Sequence, residues 1–172
     1  TPLILGNHNN QSTQLVLATN NFVGIGTASP SYLLDCTAGG TAIMSVTNSA
    51  NDASGGSLYL KNTRTGQDND ESGRIYFWGK DDAGNAHETV MIVGKMTDAS
   101  NGTEDTQLGF YTYANGSQLN TMYLSGKDMS MQATGKLYLD GGSNTYIHER
   151  GTDHIGFIAG GNEVANFNYN SG

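Results

Sequence analysis

One cysteine, two prolines and eight basic residues are all that 172 positions hold of those types. A lone Cys36 rules out an intrachain disulfide framework, so order has to come from burial and backbone ladders rather than covalent staples. Two prolines are few for a disordered chain, where proline is usually abundant. Eight scattered Lys and Arg stand against 16 Asp and Glu, for a net charge of −8. Nucleic acid is therefore not expected as a partner, because phosphate binding needs clustered cations. No apolar run reaches the ~18 residues of a membrane-spanning helix. Thr1-Pro2-Leu3-Ile4-Leu5-Gly6 lacks the charged start and long apolar centre of a signal peptide, so membrane insertion is not expected, and a start at Thr reads as a fragment.

Core-forming residues are also scarce. Leu, Ile, Val and Phe together fill 32 of 172 positions. That share lies just under the roughly 20% level at which disorder becomes a serious reading. The apolar residues are nevertheless grouped into short alternating runs, which disorder does not require. Both facts are reconciled if each chain holds only part of a core and completes it against identical chains. An obligate oligomer is the expectation.

What the chain has in quantity is turn chemistry: 24 Gly, 18 Asn, 18 Thr and 14 Ser. Between these turns the pattern predicts strands at Leu3–Leu5, Gln14–Leu17, Phe22–Ile25, Ala42–Val46, Ser57–Leu60, Arg74–Trp78 and Thr89–Val93. The second half adds Gln107–Tyr111, Thr121–Leu124, Lys136–Leu139, Thr145–His148, His154–Ile158 and Glu163–Phe167. Each is a short apolar or alternating run bounded by Gly, Asn, Asp or Ser, and no segment carries helical periodicity with a cap and a stop. The fold class predicted is all-β. Ala83-Gly84-Asn85, Asn101-Gly102 and Asn115-Gly116 supply the positive-φ residues of hairpin turns. Residues 73–124 are richest in aromatics and read as a globular β module, with Trp78 expected to fill its core. In Leu137-Tyr138-Leu139 the period of two puts both leucines on one face and the tyrosine on the other.

Two segments carry a resemblance. Asn21-Phe22-Val23-Gly24-Ile25-Gly26-Thr27-Ala28-Ser29-Pro30-Ser31-Tyr32-Leu33-Leu34-Asp35-Cys36 resembles a signature that recurs in bacteriophage tail fibres and tailspikes. Leu137-Tyr138-Leu139-Asp140-Gly141-Gly142-Ser143-Asn144-Thr145-Tyr146-Ile147-His148-Glu149, with Asp153-His154-Ile155-Gly156-Phe157 and Gly160-Gly161, resembles the fibre shaft ahead of a C-terminal intramolecular chaperone. The resemblance implies an elongated homotrimeric fibre with intertwined β-helix or β-prism shaft segments and a β-sandwich-like knob. It divides the chain into a shaft segment at 1–50, a globular module at 51–127 and a second shaft segment at 128–172. It also implies a virion tail-fibre location, contact with other tail or fibre proteins, and recognition of a host cell-surface glycan or protein.

Catalytic machinery is not visible, and no enzyme activity or cofactor is expected: no phosphate loop, dinucleotide fingerprint, nucleophile elbow or Cys/His metal constellation occurs. His148 and His154 read as local hydrogen-bonding residues rather than metal ligands. The acidic loops depart from the EF-hand pattern and read as solvated loops. Loops on a rigid β scaffold usually carry binding, so the candidate receptor-binding residues are Asp68, Asn69, Asp70, Glu71, Asp98, Asn101, Glu104 and Asp105. Two alternatives stay open: a polysaccharide-degrading tailspike, and an extracellular β-fibre or adhesin outside any phage.

Overall fold

A computed structural model describes residues 3–5, 15–49, 53 and 55–168. Among these the protein is all-β, with no helix and three sheets, none of them closed. The chain divides into two compact units, Thr1–Leu58 and Tyr59–Gly172.

In the first unit four strands lie in sequence order: β1 (Leu3–Leu5), β2 (Leu15–Leu17), β3 (Val23–Ile25) and β4 (Leu34–Cys36). The first three pair antiparallel, but β3 and β4 run parallel, with Val23 opposite Leu34 and Ile25 opposite Cys36. Val16 is the buried centre, 1% exposed, facing Gly24 across the β2–β3 ladder. The Gly residues here have a physical reason. Gly26 stands at φ +77°, and a Cβ built on it would lie 2.0 Å from the carbonyl oxygen of Thr37. Gly24 is similarly pressed against the Thr27 carbonyl. The connection from β3 to β4 is tied by the Asp35 carboxylate, which accepts from the Ser31 N–H at 2.9 Å and the Thr37 hydroxyl at 3.1 Å.

The second unit holds two antiparallel meanders. The larger comprises β5 (Glu71–Lys80), β6 (Ala86–Asp98), β7 (Asp105–Ala114), β8 (Ser117–Ser125) and β9 (Asp128–Met131). The smaller comprises β10 (Lys136–Tyr138), β11 (Tyr146–Gly151), β12 (His154–Ala159) and β13 (Asn162–Asn168). Among the described residues each strand packs chiefly on its ladder neighbours, so both sheets are single layers.

Register assigns the two faces of the large sheet, because directly opposed residues share a face. Ile75, Ile92, Phe110, Met122 and Met131 oppose one another in one row. Phe77 and Val90 extend that row on one side, and Leu108, Leu124 and Met129 extend it on the other, leaving a broad aliphatic face. Most of its side chains are half-buried or exposed. The reverse face carries Arg74, Tyr76, Met91, Val93, Gly109, Tyr111 and Tyr123. There Val93, 2% exposed, and Met91 are buried. The Tyr111 ring lies across Gly109, where a Cβ would come within 2.7 Å of the ring and 3.3 Å of Val93 Cγ1. Gly109→Ala should therefore displace the Tyr111 ring and destabilise the sheet by about 1–3 kcal/mol, read as a lower urea midpoint at unchanged slope.

The smaller sheet repeats the division. Leu137, Ile147 and Phe157 share a row with Ala165, beside Ile155 and Phe167, and this face stays largely open. On the other face Tyr138, Tyr146 and Ile158 share a row, and Ile158 is buried. Lys136 Nζ lies 4.2 Å above the Tyr146 ring centroid.

Three expectations from the sequence are altered. Ala42–Val46 and Ser57–Leu60 alternate as strands but form no ladder among the described residues; Ile43 is 83% exposed. Strand β9 was not foreseen, because Asp128-Met129-Ser130-Met131 is short and lacks β-branched residues. Trp78, expected in a core, is 61% exposed, because no second layer lies against its sheet among the described residues.

Candidate functional site

The eight candidate loop residues gather at one end of the large sheet, where the segment before β5 meets the β6–β7 loop. Asp68 Oδ1 accepts from the Ala99 N–H at 2.9 Å. The Asn69 N–H donates to the Met96 carbonyl at 2.7 Å, and the Met96 N–H returns a bond to the Asp70 carbonyl at 2.8 Å. Asn69 sits at φ +68°, a conformation that Asn tolerates better than most residues. Asp105 opens β7 directly opposite Asp98. The two loops separated in sequence thus form one joined surface.

Most of the carboxylates on that surface are used to hold its backbone. Asp70 pairs with Arg64 and also accepts from the Gln67 N–H at 2.9 Å, and these two partners hold its pKa below the ordinary value. Ser100 lowers the Asp98 pKa through its side chain and through its N–H, which donates to Asp98 at 2.8 Å. Glu104 accepts from the Gly102 N–H at 3.0 Å, which lowers it likewise. Glu71 pairs with Arg74. Asn101 lies exposed in the turn whose Gly102 adopts φ +87°. The chemical consequence is a preshaped loop surface, with much of its acidity internally neutralised by N–H dipoles and arginines. Among the described residues no group of three or more His, Cys, Asp or Glu is arranged to hold a metal ion.

The same device builds two further turns. Asp140 accepts from the N–H groups of Ser143, Asn144 and Thr145 at 3.1, 2.9 and 2.8 Å, while Gly141 and Gly142 take positive φ around it. This gives the Leu-Asp-Gly-Gly-Ser-Asn-Thr run a physical rationale: a loop wound on one carboxylate. At the β5–β6 turn Asp81 accepts from the Ala83 and Asn85 N–H groups, the Asn85 side-chain amide and His87 Nε2, all at 2.8–3.0 Å. Asn144 first, then Ser143 and Thr145, lower the Asp140 pKa; the Asn85 amide first, then His87, lower that of Asp81. A depressed folded pKa contributes stability that is present above the unfolded value near 3.8 and is lost as pH falls through the folded one. Carboxyl NMR titration should place both midpoints below 3.8, with loop amides shifting in step. Midpoints at or above that value would contradict the carboxylate-centred turns.

Two histidines occupy unremarkable positions. His148 packs edge-on against Tyr146 with centroids 5.1 Å apart, and His154 lines an open cleft with Glu149, Asp153 and Ile155. Among the described residues no helix is long and apolar enough to cross a membrane. Comparison of the chain with protein-family models, with curated proteins and with solved structures finds no match.

Proposed function

We propose that this chain is a segment of a homotrimeric fibre of the bacteriophage tail-fibre class, structural rather than enzymatic, carried on the virion and contributing to host-surface recognition. Residues 1–50 and 128–172 would be shaft segments on either side of a module at 51–127. The observation that carries the reading is the uncovered apolar face repeated in both sheets of the second unit. Ile75, Phe77, Leu108, Leu124 and Met131 in one, and Leu137, Ile155 and Phe167 in the other, meet solvent in the single chain. Contiguous apolar surface of this extent is rare on soluble monomers and ordinary at interfaces between chains. The unladdered runs at Ala42–Val46 and Ser57–Leu60 fit the same account, since intertwined chains supply ladder partners that one chain lacks. The two sequence signatures are a second, independent support.

Light scattering tests the reading. It requires a mass of about 55 kDa, three times 18.2 kDa, for the assembled form. A persistent 18.2 kDa species at micromolar concentration would remove it. The joined loop surface is part of the proposal: replacing Asn101 and Asp105, which lie exposed on it, should weaken adsorption to host cells, and unchanged adsorption would remove this surface from the receptor contact.

A further inference from the structure

At the end of the large sheet opposite those loops, one row of side chains crosses four strands. Trp78 on β5 opposes Glu88 on β6, and Tyr113 on β7 opposes Gln118 on β8. The middle of the row is tied by hydrogen bonds: Tyr113 Oη donates to Glu88 Oε2 at 3.0 Å and accepts from Gln118 Nε2 at 3.4 Å. Tyr76, two residues before Trp78 on the same strand, continues the aromatic ridge, and its hydroxyl accepts from Arg74. The ladder between β6 and β7 begins only at Val90 opposite Thr112, so beyond it the two hairpin arms separate. The resulting cleft, about 310 Å³, is lined by His87, Glu88, Thr89, Tyr113 and Gly116.

We propose that this row and cleft bind a neutral pyranoside of a cell-surface glycan. A pyranose ring has an apolar face of C–H groups and a rim of hydroxyls. The exposed indole of Trp78 offers a flat apolar surface for the face. Beside it Glu88, with one carboxylate oxygen engaged by Tyr113, has the other to accept from a hydroxyl, and the Gln118 amide can both donate and accept. Few placed polar groups around an aromatic platform are what a small polar ligand requires. The row itself holds a carboxylate and no cation; Asp81 and Asp82 stand at the adjoining turn, and of the flanking cations Arg74 is paired with Glu71, which leaves Lys80 outnumbered, so an anionic sugar is disfavoured. The β6 bulge between Val90 and Glu88 is what brings Glu88 opposite Trp78 and Val90 opposite Phe77, separating this face from the aliphatic one. This inference deepens the fibre reading by naming a ligand class, and depends on it only for the glycan being borne on a host surface.

Trp78 is the sole tryptophan of the chain and therefore its own reporter. The intact protein is titrated with a panel of neutral oligosaccharides (N-acetylglucosamine, mannose and galactose oligomers) and with oligogalacturonate, following intrinsic fluorescence and heat. At least one neutral member should give a saturable change. Trp78→Ala, followed by heat, should weaken that binding roughly tenfold or more, and Glu88→Gln several-fold, at unchanged circular dichroism. No binding by any neutral member, binding of oligogalacturonate alone, or full affinity in Trp78→Ala would overturn the proposal. So would a Trp78 emission already blue-shifted and shielded from acrylamide in the sugar-free protein, which would place the indole between chains. Light scattering on the same samples keeps the two readings apart: saturable binding by a single-chain species upholds the glycan site and removes the trimer.

Discussion

Ile92→Asp should leave the protein as single chains. Ile92 lies at the middle of the aliphatic face, between Ile75 on β5 and Phe110 on β7. In a trimer closed on that face the substitution brings three carboxylates into one apolar core. An unpaired buried charge costs several kcal/mol, and like charges repel one another as well. The scattering mass is expected to fall to 18.2 kDa while β content is retained, because in the single chain this face already meets water and the opposite face keeps Val93 and Met91 buried. Phe77→Asp, on the edge strand of the same face, should act in the same direction. Lys127→Asp, in the exposed β8–β9 turn, supplies the control and should leave the mass unchanged. Equal masses for all three variants and the parent would sink the idea that this face joins the chains.

The second large effect is expected at Gly26. Alanine there must adopt φ near +77° and place its Cβ 2.0 Å from the Thr37 carbonyl oxygen, well inside any real contact. The obstructing atom is backbone. It belongs to the residue whose N–H donates to the Ile25 carbonyl at 2.8 Å and so continues the β3–β4 pairing. The strand pair cannot yield without breaking, and the loss should reach about 3 kcal/mol or more. Few apolar side chains of the first unit are available to absorb it, since among the described residues Val16 is its one buried aliphatic side chain, beside Gly24 and Pro30. Hydrogen exchange should show β2 to β4 losing protection while β5 to β9 keep theirs. Gly40→Ala, where a Cβ meets nothing within 4 Å, should be close to neutral. Similar melting behaviour of the two variants would show that β3 and β4 do not pair in this way.

Much of this fold was legible in the chain. Alternation with period two placed eleven of the thirteen predicted runs on strands, from Leu3–Leu5 to Glu163–Phe167. The turn residues at Asn115-Gly116 and Gly102 take the positive φ their types suggest. The face division of Leu137 and Tyr138 also followed directly from alternation. The candidate loops were found as acidic stretches, but their joining through Asp68 and Ala99, 31 residues apart, was not legible, because the hydrogen bond depends on where β5 and β6 end. Trp78 was misplaced for a related reason. Large aromatics are usually buried, yet burial needs a second layer, and whether one exists is a property of the whole sheet.

By itself, the sequence determined an all-β chain, the spacing of its turns, its acidic surface and a shortage of apolar residues for a single closed core. These follow from local chemistry: alternation, positive-φ tolerance and composition act within a few residues. Only the tertiary structure decided that β3 and β4 run parallel, that the two sheets of the second unit are single layers among the described residues, and which face of the larger one holds the aliphatic residues. The bulges opposite Phe77 and Tyr111 shift the register by one residue, and a one-residue shift exchanges the two faces of a strand. That is a pairing decision between distant segments, and no local pattern encodes it.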